Sequence, residues 1–216
     1  MYDGSDMTQL ATLTQPPTRE RVSFEDFLVL TDGSHAEWVD GEVIPGVAVS
    51  LTHDEVHTYL LLMLGAFVAE HRPGKIVNDP FVMKTGPDLP GRAPDLIFVA
   101  NDHLNRLHET YLEGPADLAV EIVSPGNAST DYVDKLREYQ AGGVREYWIL
   151  DPVNQTADFF VLQNGQYERA HDDAGGIYRS AAVPGFWFRV AWLWERPPIS
   201  TVLREILADP QAGTGR

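Results

Sequence analysis

Three ionisable residues, Asp95, Glu121 and Lys135, stand in surroundings that point to chemistry. Asp95 opens an otherwise apolar run, Asp95-Leu-Ile-Phe-Val99, and Glu121 is embedded in another, Asp117-Leu-Ala-Val-Glu-Ile-Val123. A carboxylate inside a strand of that composition is costly if left unpaired, so Glu121 needs a partner, and a metal ion would explain its company. If the two runs are neighbouring strands of one sheet, alternation of side chains puts both carboxylates on one side at the same end. Two hard oxygens with open water positions suit Mg2+ or Mn2+, whose usual chemistry is phosphoryl transfer to water. Lys135, on the following element, would meet the negative charge that develops on the phosphate.

The elements that must position these groups are legible. Ser124 and Pro125 end the Glu121 run, a helix carrying Asp131, Lys135 and Tyr139 follows, and after Gly142-Gly143 a third apolar strand, Glu146-Tyr-Trp-Ile-Leu150, closes at Asp151-Pro152. Upstream, Ser23 reads as the N-cap of a short helix that buries Phe24, Phe27 and Leu28. The Asp40-Gly41 pair between Ala36-Glu-Trp-Val39 and Glu42-Val-Ile44 predicts a two-residue hairpin turn. Thr52-His-Asp-Glu55 reads as a capping box at the start of a long helix to about His71, with Val56, Leu60, Met63, Leu64 and Phe67 on its apolar stripe and Pro73-Gly74 at its end. Strands are expected at 75–77 and 81–85, a Gly/Pro-rich loop at 86–92 and a short helix at 104–112. Beyond Asp151 the pattern becomes a meander: strands at 157–162 and 166–170 about an Asn164-Gly165 turn, then 177–181 and 186–190, and a terminal helix at 200–208.

The chain of 216 residues, 44% hydrophobic, holds one domain with a sizeable core. The division expected is a mobile arm over 1–20, one domain over 21–195, and a C-terminal helix and tail over 196–216. With no cysteine, disulfides and thiolate-bound zinc or iron–sulfur centres are excluded. The acidic N-terminus lacks the pattern of a secretory signal, and the longest apolar run, 59–69, falls short of the ~20 residues of a membrane helix, so a cytoplasmic protein without membrane attachment is expected. A net charge of −16 argues against a surface that attracts nucleic acid as a whole. It leaves room for a basic rim from Lys75, Lys84, Arg92, Arg137 and Arg145, and predicts nucleic-acid binding that is weak and fades with salt.

Taken together, Glu37-Trp-Val-Asp-Gly-Glu42, Pro94-Asp95-Leu-Ile-Phe-Val, Val120-Glu-Ile-Val-Ser-Pro125, Asp131 with Lys135 and Tyr139, Gly143-Val-Arg-Glu-Tyr-Trp-Ile-Leu-Asp-Pro152 and Val183-Pro-Gly185 resemble, in order and wording, the Uma-type restriction endonucleases, a branch of the PD-(D/E)xK nuclease superfamily. The resemblance runs from about Ser23 to Val190. It implies an α/β (α+β) fold, a restriction-endonuclease-like mixed β-sheet flanked by helices, here with a C-terminal β-meander extension. It also implies a Mg2+- or Mn2+-dependent endonuclease acting on DNA. Asp95 then matches the Asp after Pro, and Glu121 the (D/E). The superfamily lysine would stand at Val123, and its absence there is a departure; in the Uma-type branch the lysine moves to the following helix, here Lys135, with Tyr139 one turn on. The implied catalytic set is Asp95, Glu121, Lys135 and Tyr139, with metal held by Asp95, Glu121, the Ile122 carbonyl and Glu37. One site per chain and two DNA strands to cut favour a homodimer.

Each assignment has a plainer competitor. Asp95 could merely end a strand; Glu121 could pair with Arg92 or Arg145; Lys135 could be the exposed i,i+4 partner of Asp131; Tyr139 could be core, and Glu37 and Glu42 surface charges of the hairpin. His53 and His57 share a helical face as in a zinc protease, but the acid due immediately after the first His as Glu is Asp54, so a solvated helix start is the expected role, ahead of a place for either ring near the rim of the carboxylate site. The aromatics 186–188, Trp192 and Trp194 either close the core or form a subunit contact. Against the nuclease stand a catalytically inactive nuclease-fold binding or assembly module, which the acidic surface favours, and a two-carboxylate glycoside hydrolase, in which the lysine would have no task.

Overall fold

Asp40 and Gly41 both adopt left-handed backbone, φ 51° and 85°, and this is the turn that joins β1 (Ala36–Val39) to β2 (Glu42–Pro45) with the twist of the strands. The same device, Asn164 and Gly165 at φ 50° and 80°, joins the strands Thr156–Gln163 and Gln166–Ala170 further on. The computed structural model describes residues 21–46, 48–124, 128–173 and 175–208; the expected N-terminal arm, Pro125 and the tail after Ala208 lie outside the described residues.

In chain order, α1 (Phe24–Thr31), capped by Ser23 as expected, precedes the hairpin, and α2 (Leu51–His71) follows it. Then come β3 (Gly74–Asn78), β4 (Val82–Lys84), β5 (Gly91–Arg92), β6 (Leu96–Ala100), a 3-10 turn at Asn101–Arg106, β7 (Tyr111–Glu113) and β8 (Leu118–Ile122). Thr130–Lys135 winds as π-helix into α3 (Leu136–Gly142), and β9 (Glu146–Asp151), β10 (Thr156–Gln163), β11 (Gln166–Ala170), β12 (Ile177–Arg179), β13 (Trp187–Arg189), α4 (Trp192–Glu195) and α5 (Ile199–Ala208) complete the chain.

Two expectations are corrected here. The cap of α2 is Ser50, whose hydroxyl accepts the His53 amide at 3.2 Å, and not Thr52; Glu55 instead meets Arg196 at 3.0 Å. The stretch 104–112 is helical only at its start: the 3-10 turn ends at Arg106 and β7 takes the last residues, pairing parallel to β4. A β-strand there satisfies backbone groups that a short isolated helix would leave open.

The fold is mixed α/β. A six-stranded sheet runs β11-β10-β9-β8-β6-β3, antiparallel except for the β8–β9 pair, which the π-turn and α3 connect. A five-stranded sheet runs β2-β1-β5-β4-β7, and β12–β13 form a small third sheet. Strand alternation divides the large sheet cleanly. Leu96, Phe98, Leu118, Val120 and Ile122 face α2, α5 and the aromatics Phe186, Trp187, Phe188 and Trp192, which therefore close the core. Ile97, Val99, Ala119 and Val123 face α3, Tyr139 and Tyr147. Glu121 belongs to the second set by parity, and that decides its partners.

Candidate active site

Leu96 pairs with Val120 and Ile97 with Ala119 across the antiparallel β6–β8 ladder, so the next positions outward, Asp95 and Glu121, fall opposite one another. Asp95 is anchored from that side, its Oδ2 accepting the Ile122 amide at 2.6 Å. From the other side the first turn of α2 brings His53 Nε2 to 3.1 Å from Asp95 Oδ1.

Glu121, 3% exposed, receives the Tyr139 hydroxyl at 2.7 Å on one oxygen and Lys135 Nζ at 2.8 Å on the other. Four residues advance about 40° beyond a full turn of an ideal α-helix, so 131, 135 and 139 would drift round its surface. The wider π turn at Thr130–Lys135 takes up that drift, and Asp131, Lys135 and Tyr139 all reach the same site. Lys135 also lies 3.2 Å from Asp131 and 3.5 Å from Glu37. Its pairing with Asp131 is thus real but buried, one contact among three carboxylates.

Glu37 arrives on β1 and is held by Arg92 at 2.8 Å and by the Ala93 amide at 3.3 Å. Arg92 uses its Nε and Nη2 to grip Glu138 at 2.7 and 2.9 Å. Neither Arg92 nor Arg145 pairs with Glu121. Lys84 is not part of a basic rim: its ammonium points inward to the carbonyls of Gly86, Pro87 and Leu89, over the Trp38 ring.

The electrostatics follow from burial and a surplus of acids. Burial pushes the Glu121 carboxyl well above the ordinary range; Lys135 offsets only part of this, and Asp131, Asp95 and Glu37 add to it. Asp131 is raised for the same first reason, against the pull of Lys135. Burial alone would lower Lys135, but Glu121, Glu37 and Asp131 outweigh it, so the ammonium stays protonated. Glu37 is the exception among the acids: Lys135 and Arg92 together overcome its burial and hold it below the usual value. The Tyr139 hydroxyl is raised by burial and by Glu121, which keeps it a donor.

These groups line a cavity of about 280 Å³ whose wall includes Glu37, His53, Arg92, Asp95, Glu121, Ile122, Asp131 and Lys135. All six residues singled out from the sequence therefore converge, Glu37, Asp95, Glu121, Ile122 and Lys135 on the wall and Tyr139 behind it on Glu121. Ile122 takes part through its amide. His53 stands on the wall too, where a solvated helix start had ranked ahead of the rim; the signal was its place three residues before Val56 and seven before Leu60, on the buried stripe of α2. Glu37, Asp95, Glu121 and Asp131 outnumber Lys135 and Arg92 at one cavity, a surplus of hard oxygen donors that a divalent cation would offset. Among the described residues no three of His, Asp and Glu stand ready as a complete ligand cluster.

Comparison with known proteins places the architecture. A solved structure titled as a "putative nuclease belonging to DUF820" from Anabaena variabilis ATCC 29413 superimposes with a TM-score of 0.65 at 16% identity, over 81% of this chain and 98% of that one, so the two share a fold. No curated protein matches the chain. The Uma2 family model, described as "Putative restriction endonuclease", matches residues 24–191, which take in all three sheets and every residue of the acidic site, and the chain is a member of that family.

Proposed function

We propose that this protein is a Mg2+- or Mn2+-dependent endonuclease that hydrolyses phosphodiester bonds in DNA, acting as a homodimer. The observation that supports it most is the placement of Asp95 opposite Glu121 at an open cavity, with Lys135 2.8 Å from Glu121. Membership of a family described as restriction endonucleases points the same way. Asp95 and Glu121 are the residues to hold the cation, with Glu37 and the Ile122 carbonyl beside them and water or phosphate oxygens completing the shell. A cation held by these residues would supply a bound water of lowered pKa and positive charge toward the phosphate.

The chain's own groups do the rest. Asp95 is kept in place at the cavity wall by the Ile122 amide on Oδ2, with His53 Nε2 3.1 Å from Oδ1. Tyr139 and Lys135 fix Glu121 between them, and Lys135, protonated and almost without solvent contact, supplies a positive charge where the phosphate would become more negative. Arg92 serves as the strut that ties Glu37 on β1 to Glu138 on α3.

The decisive experiment is calorimetric titration with Mg2+ and Mn2+ at near-physiological salt, on wild type and Glu121→Gln, followed by plasmid cleavage. Binding and cleavage that both vanish in the variant are expected. The occupation of both Glu121 oxygens by Tyr139 and Lys135 favours a second reading, an inactive nuclease-fold binding module. Absence of ion binding even with a non-cleavable oligonucleotide present, together with absence of cleavage, would select it.

A further inference from the structure

The register of the β1–β2 hairpin brings more than Glu37 to the cavity. Glu37 pairs with Ile44, Ala36 with Pro45, and one step further out the Gly46 amide donates to the His35 carbonyl at 2.9 Å. Alternation along a strand puts His35 and Glu37 on one face, with Gly46 and Ile44 across from them, and all four line the cavity. Gly46 matters for what it lacks. A Cβ there would lie 2.3–2.5 Å from three atoms of the His35 imidazole, so the ring rests over bare backbone, its side chain 41% exposed. Val49, 47% exposed, stands with Ile44 on the same wall.

A flat ring and two aliphatic side chains beside an acidic site suit the face of a nucleobase, which packs on such surfaces once it has left the helix. In a duplex those faces are covered by stacking, and only base edges and two rails of phosphate remain to be met. This wall is poorly furnished for the rails. Its Lys and Arg, Lys135 and Arg92, already face Glu121, Asp131, Glu37 and Glu138, in a chain of net charge −16. The cavity, about 280 Å³, is of the scale that takes a small molecule, and so one nucleotide at a time. We propose that His35, Ile44 and Val49 form a base-stacking subsite at the mouth of the acidic cavity, and that the substrate is single-stranded DNA. One unpaired base rests on this platform while its phosphate reaches Asp95 and Glu121.

The subsite rests on the nuclease reading above for its phosphate, but not for its base. Fluorescence anisotropy with Mn2+ present should show a labelled, non-cleavable single strand binding roughly 10-fold or more tightly than the same strand annealed to its complement. His35→Ala and Val49→Ser should each weaken the single strand by roughly 5- to 100-fold. Both variants should keep the calorimetric Mn2+ affinity of wild type and melt as it does, because both side chains are exposed. A duplex bound as tightly as the single strand, or single-strand affinity unchanged in both variants, would overturn the subsite and leave the metal site standing. If wild type binds no ion even with the oligonucleotide present, the nuclease reading fails by itself. Titration of methyl-labelled protein with 2′-deoxyadenosine, which carries no phosphate, then decides the platform: shifts at Ile44 and Val49 that His35→Ala abolishes uphold it, and unshifted methyls remove it.

Discussion

Lys135 and Glu121 meet at 2.8 Å although fourteen residues separate them and one of them stands in the middle of a sheet. The pair is buried and unequal, one cation facing Glu121, Asp131 and Glu37. Removing the cation leaves several acids facing one another out of reach of water.

Lys135→Met should therefore destabilise the protein by about 3 kcal/mol near pH 8 and abolish cleavage. Because the acids it leaves can take up protons, the deficit should shrink toward pH 5. Urea unfolding at the two pH values measures this, and an equal deficit at both would show that packing, not charge, is lost.

Glu121→Gln should abolish ion binding while leaving the fold as stable as wild type or more so. The sign follows from the raised carboxyl: between the ordinary carboxylate pKa of about 4.3 and its higher folded value, native Glu121 binds more protons than the unfolded chain, so its contribution is present in acid and declines as pH rises. The stability gap in favour of the variant should widen from pH 5 to pH 8. Thermal melts across that range test it, and a variant that loses ground as pH rises would contradict it.

Arg92→Lys keeps the charge but not the fork that holds Glu138 through two nitrogens and Glu37 through a third. A loss of roughly 2 kcal/mol is expected, together with weaker ion binding as Glu37 comes loose. Calorimetry and denaturation on one preparation would show whether the two effects travel together.

Glu146 is a buried acid away from the cavity, and it should be purely structural. It accepts from the Trp148 indole at 2.7 Å, the Tyr178 and Ser180 hydroxyls at 2.6 and 2.7 Å, and the Ala182 amide at 2.6 Å, tying β9 to the segment around β12. Glu146→Ala orphans these donors and should cost more than about 3 kcal/mol, with ion affinity unchanged in the protein that remains folded. Reduced ion affinity in that folded fraction would refute the separation.

Gly74 lies where β3 passes β6, and an added Cβ would stand 2.2 Å from the Val99 carbonyl oxygen and 2.8 Å from the Phe98 ring. Gly74→Ala should cost about 1–3 kcal/mol by pushing the edge strand away. Amide exchange of Lys75 to Val77, faster in the variant, is the direct measurement.

Much of this architecture was written locally. The Asp40-Gly41 and Asn164-Gly165 turns, the apolar runs of β6, β8 and β9 and the order of Asp95, Glu121 and Lys135 are properties of short stretches, and alternation along a strand already separated Glu121 from Val120 and Ile122. What a short stretch does not contain is the identity of the element that covers it. Lys135 could be read as a site group or as the surface partner of Asp131 until β1 and β8 were folded against it; His53 was expected at a solvated helix start, with the cap read at Thr52, two residues past the true one; Lys84 looked like a rim cation although three carbonyls and an aromatic ring enclose it. Whether a charge is exposed or buried, and with whom it pairs, depends on contacts between segments far apart in sequence, and those were decided only when the two sheets and α2 closed around the same cavity.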